Sequence, residues 1–266
     1  MSRKIGSSNE IQKFDLDSMN NDSTILVLGR RRSGKSWLIR DLMYHKKHMN
    51  QVLVFSGTEH VSPFMGDFIP NKFIHSDFSS ELVENVFSSQ LKKIKKAKEN
   101  YGRTEGNSMV IIMEDMNDIK TWSKDGSIKT LISNSRYYNL MYVVALQYVH
   151  GLHPQFRDNL DYVFIYPQEN HTEMQKVYDT FGGCIETYRE FCDILDQCTE
   201  ENYSCLVVKL SSYSNKICDK IFWYKADRPV NFMVGEHEPE SQPKNEPSHF
   251  VKRVTGASTL RVSVTT

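Results

Sequence analysis

Twelve residues constrain this chain more than any others. Ile25-Leu26-Val27-Leu28 runs straight into Gly29-Arg30-Arg31-Arg32-Ser33-Gly34-Lys35-Ser36. A short apolar strand pattern followed by glycine, four residues, then Gly-Lys-Ser is the spacing of the phosphate-binding P-loop. Gly29 and Gly34 allow a tight turn and close approach to phosphate oxygens. Successive N–H groups, together with the positive end of the helix expected from Trp37 to His45, make a concave anion site. Lys35 is placed to reach the β- and γ-phosphates of a nucleotide, and the Ser36 hydroxyl to hold Mg²⁺. The expected binding set is Gly29, Arg30, Arg31, Arg32, Ser33, Gly34, Lys35, Ser36 and Trp37, with ATP and Mg²⁺ as ligands.

A P-loop fixes the fold class only if the rest of the chain alternates strands and helices, and it does. Strand patterns occur at 51–55, 109–113, 141–146 and 161–166, the second apolar throughout, as in a strand buried on both faces. Helical spacing of Val83, Phe87, Leu91 and Ile94 marks residues 81–98, and further helices are expected at 124–136, 169–181 and 186–198. Two β-type runs, 204–208 and 220–224, follow. This order predicts an α/β domain, a mainly parallel central sheet flanked by helices, with ligands at the carboxyl ends of the strands. Residues 1–22, rich in Asn, Asp and Ser, read as a flexible lead-in, 23–234 as one ATPase domain, and 235–266 as a disordered tail.

At 266 residues the chain is long enough for one large core. Thirty-three basic residues balance 33 acidic ones, so contact with nucleic acid has to come from local patches. One patch is visible: Lys92, Lys93, Lys95, Lys96 and Lys98, opposite the apolar stripe of the 81–98 helix. It is read first as a solvated face and second as a surface that tracks phosphates. No secretory leader pattern and no apolar run of bilayer-spanning length is present, which predicts a protein that is not transmembrane. The five cysteines lack Cys-x-x-Cys spacing and read as reduced thiols. His150-x-x-His153 has no third ligand in view and reads as loop.

Hydrolysis needs acids at the end of a neighbouring strand. Glu114-Asp115 follows the 109–113 run, Glu114 placed for the metal and Asp115 for the attacking water. Gln147 ends the next strand, where an amide can sense the γ-phosphate or orient water. Arg157, ahead of the 161–166 strand, is the candidate arginine finger, with Arg136 as a weaker one; the bland alternative is an ion pair with Asp158 or Asp161.

Taken in order, the P-loop, the strand with paired acids, Arg136-Tyr137-Tyr138-Asn139-Leu140-Met141, Gln147 and Pro154-x-x-Arg157-x-Asn159-x-Asp161 resemble one family. It is the poxvirus-type DNA-packaging ATPases of nucleocytoplasmic large DNA viruses, within the FtsK–HerA superfamily of P-loop ASCE enzymes. The similarity spans about residues 23–234 and includes Phe222-Trp223-Tyr224-Lys225-Ala226. Gln147 and the Arg157-Asp158-Asn159 segment are its discriminating parts. The resemblance implies an ATP-driven motor that moves double-stranded viral DNA into a capsid. It further implies a homo-oligomeric ring of five or six subunits, capsid or inner-membrane partners, and a place in the virion or viral factory. Two features depart from the family: Glu114-Asp115 stands where Asp-Asp or Asp-Glu is usual, and Arg30-Arg31-Arg32 where small residues are common. A nucleotide kinase is the alternative, disfavoured by the long segment after Gln147. A GTPase is disfavoured because Asn71-Lys72 and Asn215-Lys216 both lack the Asp of a guanine-reading motif.

Overall fold

The fold was obtained as a computed structural model that describes residues 4–5, 9–49, 51–101, 108–116, 119–149 and 152–235. Eight strands form one sheet: β1 (Thr24–Leu28), β2 (Gln51–Ser56), β3 (Ile74–His75), β4 (Met109–Glu114), β5 (Leu140–Leu146), β6 (Tyr162–Ile165), β7 (Ser204–Lys209) and β8 (Ile221–Lys225). Their spatial order is β8-β7-β6-β1-β5-β4-β2-β3. Six strands run parallel, from β6 across to β3, and β7 and β8 extend that sheet antiparallel. The expected mainly parallel sheet is therefore present. The two late β-type runs join it as an edge hairpin.

The helices are α1 (Lys35–His45), α2 (Ser80–Tyr101), α3 (Ile119–Trp122), α4 (Gly126–Asn134), α5 (Pro154–Asp158), α6 (His171–Phe181) and α7 (Tyr188–Cys198). Alternation along β1 divides them between two layers. Ile25 and Val27 point to a core shared with Leu38, Ile39, Leu42 and Met43 of α1. Leu26 and Leu28 point to the opposite core, built with side chains of α2, α4, α6 and α7. With apolar side chains needed on both faces, the β1 burial pattern is continuous rather than alternating.

The lead-in is different from the expectation. Residues 9–22 are ordered against the body: Ile11, Phe14, Leu16 and Met19 are all buried. Phe14 N donates to Trp223 O at 2.8 Å and Trp223 N to Gln12 O at 3.0 Å, so this segment lies along β8. Spaced apolar residues within a polar stretch were enough to anchor it, a signal that composition alone hides. The second correction concerns α2. Gln90, not Leu91, continues the buried stripe; its Nε2 donates to Tyr138 O at 3.0 Å, while Leu91 is 39% exposed. The proposed tail from 236 onward and His150 lie outside the described residues. His153 caps α5, its Nδ1 accepting from Gln155 N at 3.3 Å.

The order of strands is what positions the site. β5 lies between the P-loop strand β1 and the acid-bearing strand β4. Residues just past the ends of all three therefore meet at the same edge of the sheet.

Candidate functional site

The P-loop leaves β1 at Gly29, whose N–H donates to Leu146 O at 3.0 Å. A side chain at Gly29 would meet Tyr166 Cβ at 2.7 Å, so only glycine lets the loop turn there. Gly34, with φ at 110°, ends the loop in backbone that other residues rarely adopt. Tyr166, next after β6, steadies the turn by donating its hydroxyl to Gly34 O at 3.2 Å.

Lys35 begins α1 and is buried. Its ammonium folds back onto the loop, donating to Gly29 O at 2.9 Å and Arg30 O at 3.1 Å. Burial lowers its pKa, and the Asp115 and Glu114 carboxylates act in the opposite direction. Across the cleft, Ser36 Oγ donates to Glu114 Oε1 at 2.5 Å. Glu114 is only 5% exposed, and its carboxyl is pushed up to about 7. Burial is the largest cause, with the nearby Asp115 and Glu59 charges adding to it; the Ser36 bond and Lys35 oppose it. A hard divalent cation placed between Ser36 and Glu114 would remove the penalty on that carboxylate, so the donor set fits Mg²⁺.

Asp115 follows with φ at 45°, so the chain turns sharply as it leaves β4. Gln147, past the end of β5, donates its Nε2 to Asp115 Oδ1 at 3.4 Å. The expected acids, lysine, serine and glutamine are thus gathered at one edge of the sheet. Lys35, Ser36, Glu114 and Asp115 line a single cleft of about 780 Å³.

The three loop arginines have separate fates. Arg31 and Arg32 line the cleft, Arg32 with φ at 63°. Arg30 pairs instead with Glu169 in the β6–α6 connection and is not among the cleft-lining residues. Ser33 Oγ is buried without a hydrogen-bond partner among the described residues.

Arg157 is not in its own chain's cleft. It sits in α5, which leads down to the amino end of β6, the sheet edge opposite the P-loop. Its Nε is buried without a hydrogen-bond partner among the described residues. The ion pair with Asp161 belongs to Arg136, at 2.6 Å; Asp161 also accepts from Thr24 N at 2.9 Å. Arg136 is thereby a brace at the base of β1, remote from the cleft.

Sequence reasoning missed seven of the cleft-lining residues, with Glu59, Tyr203 and Arg228 the three that bear charge or an exposed ring. Glu59 accepts from Phe64 N and Met65 N at 3.0 Å and from Gly66 N at 2.9 Å, which shapes the loop after β2. None of the three belongs to a motif, so no local pattern marked them.

Protein L437 of Acanthamoeba polyphaga mimivirus is 32% identical over 259 residues, covering 94% of this chain and 91% of the mimivirus protein. Among solved structures, the pCW3 conjugation coupling protein TcpA, solved with ATPγS, superposes with a TM-score of 0.55 at 15% identity. It covers 83% of this chain and 63% of its own. The genome packaging NTPase B204 of Sulfolobus turreted icosahedral virus 2 gives a TM-score of 0.49 at 16% identity, over 78% of this chain and all of that one. The fold is that of the P-loop ATPases. Residues 11–233 match the family described as poxvirus A32 protein, and the chain belongs to that family.

Proposed function

We propose that this chain is a Mg²⁺-dependent ATPase that moves double-stranded viral DNA into a capsid, working as a ring of identical subunits. The observation that carries the reading is the convergence of Lys35, the Ser36–Glu114 pair, Asp115 and Gln147 at the carboxyl ends of β1, β4 and β5. Membership of the poxvirus A32 family and the P-loop ATPase fold support it.

In this reading the loop N–H groups and Lys35 bind the phosphates, with the ammonium exchanging its Gly29 and Arg30 carbonyl partners for phosphate oxygens. Ser36 and Glu114 hold Mg²⁺, which when bound neutralises charge building up on the β- and γ-phosphates. The carboxyl of Glu114, pushed up to about 7 by burial, would have to be ionised to serve as a cation ligand. Asp115 and Gln147 orient the attacking water from the neighbouring strand ends, and Asp115 accepts its proton. Arg157, at the sheet edge opposite its own cleft, serves the cleft of an adjacent subunit, where a guanidinium can meet transition-state charge. Duplex contact is assigned to the exposed Lys92, Lys95, Lys96 and Lys98 of α2. Among the described residues no helix is long and apolar enough to cross a membrane.

The test is ATP hydrolysis by the purified protein with duplex DNA, with single-stranded DNA and with none, alongside its mass in solution. Stimulation by duplex in an oligomer is the expected result. Turnover that needs an acceptor nucleotide, in a monomer, would replace the motor with a kinase.

A further inference from the structure

The phosphate half of the cleft is accounted for by Lys35, Ser36, Glu114 and Asp115, but its outer half is a different surface. There Trp37, Phe64, Tyr203 and Arg228 form the walls. The Arg228 guanidinium lies over two rings at once, 5.1 Å from the centroid of Trp37 and 5.8 Å from that of Tyr203. These groups come from three distant parts of the chain: the first turn of α1, the turn before β7 and the segment after β8.

Each is held where it is. Trp37 packs edge-on against Phe64 with centroids 5.2 Å apart. Tyr203 has φ at 68°, backbone that a bulky residue adopts only when its surroundings impose it. The imposition is visible: Ser204 N donates to Glu201 O at 3.1 Å, and Lys225 of β8 pairs with Glu201 at 3.0 Å. Arg228 is bracketed by two bonds to α1, Asp227 N to Asp41 Oδ2 at 2.8 Å and Arg40 Nε to Pro229 O at 2.8 Å. Yet Tyr203 itself remains 52% exposed, and Arg228 is exposed too. Fixed backbones are presenting open planar side chains to the cleft that the P-loop shares.

We propose that Trp37, Tyr203 and Arg228 form the stacking site for the nucleobase of the triphosphate whose phosphates lie on Gly29–Ser36; the inference rests on the nucleotide reading of that loop. An indole, a phenol ring and a planar guanidinium are all surfaces on which a base can stack. Stacking of this kind sets how deep the nucleotide sits, and so places the γ-phosphate relative to Asp115 and Gln147. Tyr203 and Arg228 are positioning residues in this scheme.

Binding to the full-length protein with Mg²⁺ present tests it, using ATP and inorganic tripolyphosphate as paired probes. Arg228→Ala and Tyr203→Ala each weaken ATP roughly 10- to 100-fold, the usual worth of one stacked base, and leave tripolyphosphate within about twofold by the same reasoning. Tyr203→Phe keeps the ring and binds ATP as the wild type does. Trp37 fluorescence responds to ATP and not to tripolyphosphate. Both altered positions are exposed, so neither variant is expected to lose its fold. Equal loss of both probes in Arg228→Ala would make that residue a phosphate ligand and overturn the stacking site, as would unchanged ATP binding in both alanine variants. Lys35→Ala separates the two levels: it weakens both probes if the loop holds the phosphates. Unchanged binding of both probes by Lys35→Ala overturns the loop reading together with the site built on it.

Discussion

The two ends of the parallel strands carry charge in opposite ways. At the carboxyl edge, Lys35 and Glu114 are buried with their charges poorly compensated, and the pKa of each is displaced toward its neutral form by burial. At the amino edge, the buried Asp161 is fully engaged, with Thr24 N at 2.9 Å and Arg136 at 2.6 Å. Backbone strain divides similarly. Arg32 and Tyr203, both lining the cleft, have positive φ in residue types that rarely adopt it, whereas the other such residues described outside glycine, Asp115, Asn139 and Asn231, are of the type that tolerates it. One edge is built to hold a ligand and bears the cost in stability; the other secures the sheet.

Four experiments would break or sharpen that contrast. The largest effects fall on turnover. Lys35→Ala and Arg157→Ala should each slow ATP hydrolysis about 1,000-fold or more, with Arg157→Ala still binding ATP. Mixing the two variants should restore activity if Arg157 acts in a neighbouring cleft. Wild-type turnover by Arg157→Ala would end the finger role and leave the amino edge purely structural.

Next comes pH. Glu114 has a folded pKa near 7, above its unfolded value of 4.5, so the native state binds the extra proton between those limits. Stability of the metal-free protein should therefore fall as pH rises from about 4.5 to 7 and level off above, by at most about 3 kcal/mol. Denaturant titrations at pH 5.5 and 8 measure this, and Glu114→Gln should flatten the difference. A slope that persists in Glu114→Gln places the proton elsewhere.

At the other edge, Asp161→Ala removes the partner of Thr24 N and should cost about 1–3 kcal/mol of stability with kcat unchanged in the surviving folded protein. If kcat collapses while the melting temperature holds, the division between edges is wrong. The smallest effect is expected from Leu91→Gln on the exposed side of α2, within about 0.5 kcal/mol. The same measurement on Gln90→Ala should show a larger loss, since Gln90 is fully buried and bonded to Tyr138.

The P-loop, the acids and Gln147 were legible in the chain because each is tied to the end of an apolar strand. A run such as Val110–Met113 announces both a buried strand and the place where the next side chains emerge. The face of α2 was less legible: Val83 and Phe87 fixed one stripe, but whether Gln90 or Leu91 continued it depended on the Tyr138 carbonyl from another element. The anchoring of residues 9–22 was hidden for the same reason, since its partner Trp223 lies near the far end of the domain.

By itself, then, the sequence determined the β1–loop–α1 unit, the strand-end acids and the parallel α/β class. These rest on local periodicity and on glycines whose backbone freedom is a property of single residues. Tertiary structure alone decided that Arg136 would brace Asp161, that Arg157 would sit at the sheet edge opposite its own cleft, and that Arg228 would lie over both Trp37 and Tyr203. Those outcomes depend on which strands become neighbours, and strand order is set by burial over the whole sheet rather than by any one segment.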